Sequence, residues 1–245
     1  MDIKVVNLSD NRVITHLNFA AGYRGGERQT TLLIQELARR GIKQKLFTRV
    51  NSELAKKCSS IENLEIIALA KPYIYSFKKF KDSQLIHAHE TKAAQVAFFL
   101  KKIYKIPYII TRRVDNPIKN NAFTKAMYNE AACNAALSSA IKKGIVAIAA
   151  QAEVAIIPSV KTDFQLNQHK IEQIKKRFAG KYLIGNIGEL ENQHKGQLYL
   201  IEAIKKLSLE YDNLHFIFLG KGPDAEQYKQ LTAHLDNVTF EGFVD

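Results

Sequence analysis

Short apolar runs alternate with amphipathic stretches along nearly the whole chain. Strand-length runs lie at Arg12–Phe19, Lys43–Thr48, Leu64–Ala68, Gln84–Ala88, Tyr108–Arg112, Ala135–Leu137 and Val154–Ile157. Between the first two, Gly26–Arg40 carries Leu33, Ile34, Leu37 and Ala38 on one helical face, and Gly41 closes it. Lys92–Lys105 carries Ala93, Val96, Leu100 and Ile103 at helical spacing and stops before Pro107. Strands that alternate with helices in this way predict a parallel sheet covered on both faces.

Residues 159–180 break the rhythm with a polar connector, in which Asp163 reads as a hinge or cap, and a basic helix. A second alternation follows: strand Tyr182–Ile187, helix Gly196–Tyr211, strand Leu214–Leu219, helix Asp224–Leu235 and strand Val238–Phe240. The pattern therefore predicts an α/β protein of two doubly wound parallel-sheet domains, 1–163 and 164–245. Three strands and two helices make about half of such a domain, so the second is expected to be incomplete or completed by a partner. Met1–Ser9 reads as a short extra strand or arm.

Composition adds three constraints. A hydrophobic content of 46% over 245 residues supports a real core. Cys58 and Cys133 stand far apart with no histidine at ligand spacing, which points to a reducing compartment and no metal site. With no signal-peptide pattern at Met1–Lys4, the expected location is cytoplasmic. Charge then separates the two halves: residues 1–180 hold 30 Lys+Arg against 14 Asp+Glu, whereas residues 181–245 hold 6 against 10. A basic first half suits phosphorylated substrates or an anionic membrane. Nucleic acid is not an expected partner, because no helix-turn-helix, zinc or aromatic RNA-platform signature is present.

Candidate chemistry gathers at glycine turns after strands. Gly22-Tyr23-Arg24-Gly25-Gly26-Glu27-Arg28 joins the first strand to the first helix, an arrangement that aims free backbone N–H groups and the positive end of a helix dipole at an anion. In the second domain Gly188-Glu189-Leu190 runs to Lys195-Gly196, and Gly220-Lys221-Gly222-Pro223-Asp224 ends the next strand. Ligands of such folds bind at the carboxyl ends of strands, here expected in a cleft between the two domains.

These pieces resemble the retaining family 4 glycosyltransferases of the two-Rossmann GT-B fold. Gly25-Gly26-Glu27-Arg28 is similar to the family's GG-x-E-R loop, and Ile86-His87-Ala88-His89 to its strand-end IHAH. Ile106–Arg113, Leu137–Lys142, Ile157-Pro158-Ser159, Gly188–Gly196 and Phe218–Pro223 resemble further family elements in the right order. The chain departs from the family at Glu189, where an arginine is usual, and at Arg113, where many members carry histidine. It also ends before the family's C-terminal acidic pair.

The resemblance implies Rossmann-like domains and sugar transfer, with retention, from a nucleotide-sugar to a saccharide or lipid-linked acceptor of the lipopolysaccharide-core type. No separate cofactor is implied. Lys195 and His89 are the implied catalytic residues, and Gly25, Gly26, Glu189, Lys195 and Gly222 the implied donor-binding set. Arg24, Arg112 and Arg113 are implied to hold an acceptor or phosphate. His87 and His89 are expected on opposite faces of their strand, so that at most one reaches the cleft; His16 is expected to be structural or to line it, and His194 either to neighbour the diphosphate or to be a mobile loop histidine. Ser76–Lys81 and Phe98–Lys105 mix aromatics with lysines, a composition suited to the inner face of an anionic plasma membrane. Two readings stand beside this one: a dinucleotide-dependent oxidoreductase, disfavoured because the loop reads GYRGGE rather than GxGxxG, and a non-catalytic fragment or basic binding module.

Overall fold

The computed structural model describes residues 13–160 and 166–244. The Met1–Ser9 arm and Asp163 lie outside the described residues. Contacts divide the chain into two compact units, Met1–Thr162 and Asp163–Asp245.

The first unit is a parallel sheet built from β1 (Ile14–Asn18), β2 (Gln44–Arg49), β3 (Leu64–Leu69), β4 (Leu85–Ala88), β5 (Tyr108–Arg112), β6 (Cys133–Ala136) and β7 (Val154–Ile156), in the order β3-β2-β1-β4-β5-β6-β7. The chain winds outward from β1 to β3, returns to β4 on the other side of β1, and winds outward again to β7. The crossovers at β1 and β4 therefore diverge, and their carboxyl ends form the topological switch point where such sheets open a crevice. That point positions the site described below.

Local chemistry sets the helices. α1 (Gly25–Arg39) buries Thr30, Thr31 and Ile34 against the sheet and stops one residue before Gly41, at φ 73°. α2 (Glu53–Cys58) starts at Ser52, whose hydroxyl accepts from the Ala55 N–H at 3.4 Å. Ile34, Leu46, Leu54 and Cys58 pack together on that face. α3 (Thr91–Tyr104) is capped by the Glu90 carboxylate, which accepts from the N–H groups of Lys92 (2.6 Å) and Ala93 (2.7 Å). A cap of this kind contributes about 1 kcal/mol. α4 (Ala122–Asn129) and α5 (Ser139–Ile148) begin at Asn121 and Ser138 in the same way. A 3-10 helix at Tyr73–Phe80 inserts Phe77 and Phe80 into the main core, where the Phe80 ring meets that of Phe47 at 4.1 Å.

The second unit contains α6 (Gln168–Arg177), β8 (Tyr182–Ile187), α7 (Asn192–Lys195), α8 (Gln197–Glu210), β9 (Leu214–Leu219), α9 (Ala225–Thr232) and β10 (Val238–Gly242). Its strands form a parallel sheet in the order β10-β9-β8. Ile201, Ile204, Phe216, Phe218 and Tyr228 make its core with Leu190. The α/β class with two parallel sheets is as the alternation of the sequence predicts. The short helix α7 and helices α2, α4 and α5 lie where the apolar periodicity is too brief to signal them.

Candidate functional site

In the first unit, the loops after β1, β4 and β5 close around a pocket of 320 Å³ lined by Arg24, Gly26, Glu27, His89, Glu90, Thr111, Arg112, Arg113 and Tyr128, among others. Five of the expected site residues thus meet: Arg24, Gly26, His89, Arg112 and Arg113. Gly25 stands beside them as the first residue of α1. Neither glycine there is needed for packing. A Cβ on Gly25 meets nothing within 4 Å, and one on Gly26 meets only Arg113 Cδ at 3.6 Å. The α1 start also carries its own carboxylate, since Glu27 Oε2 accepts from the Arg24 N–H at 3.0 Å.

His87 and His89 sit on one face of the β4 segment, with ring centroids 4.1 Å apart, which corrects the expectation of opposite faces. The reason is elementary: side chains two residues apart in a strand project to the same side. His16, which faces His87 across the β1–β4 register, joins them. The ligand atoms of all three lie within 4.8 Å of one another, the composition of a metal site.

Their hydrogen bonds give the trio a different wiring. Arg113 Nη2, which can only donate, lies 3.3 Å from His89 Nδ1. In a neutral ring His89 Nε2 then carries the hydrogen and donates to His16 Nδ1 at 2.9 Å. His16 Nε2 donates in turn to Gln44 Oε1 at 3.0 Å, and Gln44 Nε2 donates to the carbonyl of Ile34 in α1 at 3.0 Å. The chain begins at an obligate donor and ends at an obligate acceptor, so every proton between them is assigned. Burial agrees: it pushes the His16 pKa down from 6.5 to about 4 and holds His87 and His89 well below their ordinary value. His87 is bonded separately, Nε2 to Thr111 Oγ1 at 2.7 Å. A protonated His89 Nε2 has no lone pair for a metal, and a guanidinium against the same ring opposes a cation there.

The two arginines differ. Arg112 donates to the Asn116 carbonyl and, at 3.4 Å, to the Tyr128 hydroxyl, which braces the loop after β5. Arg113 donates to the carbonyl (3.0 Å) and ring of His89, both neutral acceptors. Burial lowers its pKa from 12.5 to about 10, and the Glu27 carboxylate acts in the other direction. Sequence reading missed Gln44, Glu90, Thr111 and Tyr128; for Gln44 in β2 and Thr111 in β5 the available signal was a polar residue in a strand-length run, which in a buried strand demands a partner, whereas Glu90 at the start of α3 and Tyr128 in α4 gave no such signal.

In the second unit a separate pocket of 480 Å³ is lined by Leu190, Gly220, Lys221, Gly222, Glu226, Lys229 and Glu241, among others. Of the expected donor set, only Gly222 lines it. Lys195 is exposed at the end of α7, and Glu189 receives the Gln197 side-chain amide on its carbonyl at 2.8 Å. α8 starts at Gln197, not Gly196, which takes φ 64° as the hinge between two helices. The Asp224 carboxylate, at the start of α9, makes no cap bond to that helix; it accepts from the Asn192 N–H at 2.7 Å and ties the α7 loop to the α9 loop. The side chain of His194 lies outside the described residues.

The comparisons with known proteins bear on both units. Residues 181–245 match the family described as Glycosyl transferases group 1. That match covers the second unit's sheet and both of its glycine loops. Across both units the fold is similar to that of Anabaena HepE solved with UDP-glucose, at 16% identity and a TM-score of 0.78, covering 95% of this chain and 69% of that one. It is also similar to the lipopolysaccharide outer core galactosyltransferase WaaB, at 13% identity and a TM-score of 0.63, covering 96% and 68%. A UDP-GlcNAc 2-epimerase from Neisseria meningitidis shares the architecture at 17% identity and a TM-score of 0.56, covering 94% and 71%. No curated protein matches the chain. The fold is thus of the GT-B, Rossmann-like type, and the family match within it supports a glycosyltransferase.

Proposed function

We propose that this chain acts in the transfer of a sugar from a nucleotide-sugar to a saccharide or lipid-linked acceptor, with retention of anomeric configuration. The observation that carries the reading is the family match over 181–245, which falls on the loops that build the pocket of the second unit. Neighbours of the same fold were solved with UDP and UDP-glucose, which supports a nucleoside diphosphate sugar as donor.

The chemistry required is stabilisation of a departing diphosphate. The acceptor hydroxyl oxygen bonds to the anomeric carbon as the bond from that carbon to the diphosphate oxygen breaks. In the same-face route, the hydroxyl proton passes to a diphosphate oxygen. Cations and oriented N–H donors at the leaving group lower that barrier more than a strong base does. Lys221 and Lys229 in the second pocket, and Lys195 from its exposed position, supply the positive charge. The first pocket, with Arg24, Arg112 and Arg113, receives the acceptor.

A cytoplasmic enzyme working on lipid-linked acceptors would gain from contact with the inner face of an anionic membrane. The 3-10 segment supports this: Ile74 and Tyr75 are 62% and 84% exposed beside the exposed Lys71, Lys78, Lys79 and Lys81. The Phe98–Lys105 cluster supports it less, because Phe98 is buried and both Lys101 and Lys102 bond to Glu130. No helix among the described residues is long and apolar enough to cross a membrane.

The test is calorimetric titration with UDP, GDP and ADP, followed by assay of nucleotide release from the matching sugar donor with saccharide acceptors. Binding of one diphosphate and acceptor-dependent release support the proposal; no heat with any of them defeats it. Change of the donor sugar without release would instead indicate an epimerase.

A further inference from the structure

The first pocket contains a half-buried cation, Arg113, whose hydrogen-bond acceptors are neutral. Arg113 directs hydrogen bonds only to the carbonyl and ring of His89, and among the described residues it makes no ion pair. The two carboxylates of the pocket are otherwise occupied. Glu27 accepts from the Arg24 N–H at the start of α1, and Glu90 accepts from Lys92, Ala93 and, at 3.4 Å, Phe19 at the start of α3. A guanidinium has five N–H donors in a planar fork, and the half-buried Arg113, with Glu27 near it but hydrogen-bonded only to neutral acceptors, keeps donors for an oxyanion.

We propose that the first-unit pocket recognises a sugar bearing an acidic group, a carboxylate or phosphate, read by Arg113, and that His89 and His16 are positioning residues that fix its guanidinium. This deepens the acceptor role proposed for the pocket above and rests on that reading. It also moves His89 from the catalytic role that the sequence implied. Its one ring lone pair is spent on Arg113, its Nε2 hydrogen is spent on His16, and the residue is 4% exposed. The ordered chain through Gln44 to the Ile34 carbonyl ties the orientation of Arg113 to the body of α1. The same helix starts at Gly25 and Gly26, and Gly26 lines the pocket. The acid thus meets the fork of Arg113 on one side and the first N–H groups of α1 on the other.

Three small probes test this by NMR on the intact chain: glucuronate, glucose 1-phosphate and glucose. The acidic sugars are expected to shift the Arg113 Nε–H and the Gly25 and Gly26 amide signals, and glucose is not; which acid binds tighter identifies the substituent. Arg113→Met should weaken the acidic probes about tenfold or more, the scale of one charge-assisted hydrogen bond. His89→Asn places an amide oxygen near the position of Nδ1 and should keep binding within about threefold, whereas His89→Gln, which mimics the Nε2 end, should lose about tenfold. Independently of any variant's folding, imidazole nitrogen spectra of the wild-type chain should show His89 and His16 as Nε2–H tautomers at neutral pH. Equal shifts from glucose and glucuronate, undiminished binding in Arg113→Met, equal loss in both His89 variants, or a protonated Nδ1 on His89 would each overturn the proposal. Nucleoside diphosphate binding reads the second unit, so anion binding that fails while UDP binding persists removes this inference and leaves the transferase reading standing.

Discussion

A Cβ built on Gly220 would lie 1.8 Å from the carbonyl oxygen of Gly188, and Gly220 itself sits at φ 147°. Two glycine loops that look like ligand cradles in the sequence are thus pressed against each other. Gly222 is as tight, 2.2 Å from the Leu190 carbonyl. Gly220→Ala combines a backbone conformation closed to other residues with a clash against main chain, and should destabilise the second unit by at least about 3 kcal/mol. Urea unfolding followed by a probe in 181–244 checks this; a change below about 1 kcal/mol would show that the loops separate easily.

Gly25 presents the opposite case. With open space around it and an ordinary helical start, Gly25→Ala should raise stability by up to about 1 kcal/mol while reducing pocket binding. A gain in thermal midpoint paired with weaker glucose 1-phosphate binding is the expected pattern.

The buried histidines make stability depend on acid. His16 has its folded pKa lowered, from 6.5 to about 4, by burial. Above pH 6.5 both folded and unfolded forms are neutral and the full stability is present. As pH falls from 6.5 toward 4 the unfolded chain takes up the proton first, so stability is lost across that window. For His16 alone the loss is on the order of 3 kcal/mol, and His87 and His89 act in the same direction. His16→Gln should flatten the decline between pH 6.5 and 4 in denaturant titrations, even if it lowers the plateau.

Phe80 and Tyr75 separate core from surface within one aromatic and basic segment. Phe80→Ala should cost about 3–5 kcal/mol, since the ring is fully buried against Phe47. Tyr75→Ser, at a position 84% exposed, should leave stability within about 0.5 kcal/mol and reduce sedimentation with vesicles containing anionic lipid. Unchanged vesicle binding in that variant would remove the 3-10 segment from the membrane proposal.

Within the second pocket, Lys221→Ala should weaken UDP binding more than Lys195→Ala, because Lys221 lines the pocket and Lys195 stands exposed outside its lining. A tenfold loss at Lys221 corresponds to about 1.4 kcal/mol. The reverse order in calorimetry would place the diphosphate at the end of α7.

What the sequence determined is the succession of strands, the longer helices such as α1, α3 and α8, and the glycine loops that follow the strands. β5 shows why: Tyr108–Arg112 is an apolar run bounded by Pro107 and a charged turn, and nothing distant is needed to read it. The meeting of Arg24, His89 and Arg113 was legible only as three strand-end residues. Strand order, with β4 beside β1, is a long-range outcome that no local pattern encodes, and it brings those loops together. Tertiary structure alone decided the proton order from Arg113 to the Ile34 carbonyl, because a histidine's role depends on which groups face its two nitrogens. It also decided which glycines leave room for a ligand and which yield it to a neighbouring backbone, since glycine is written identically for both.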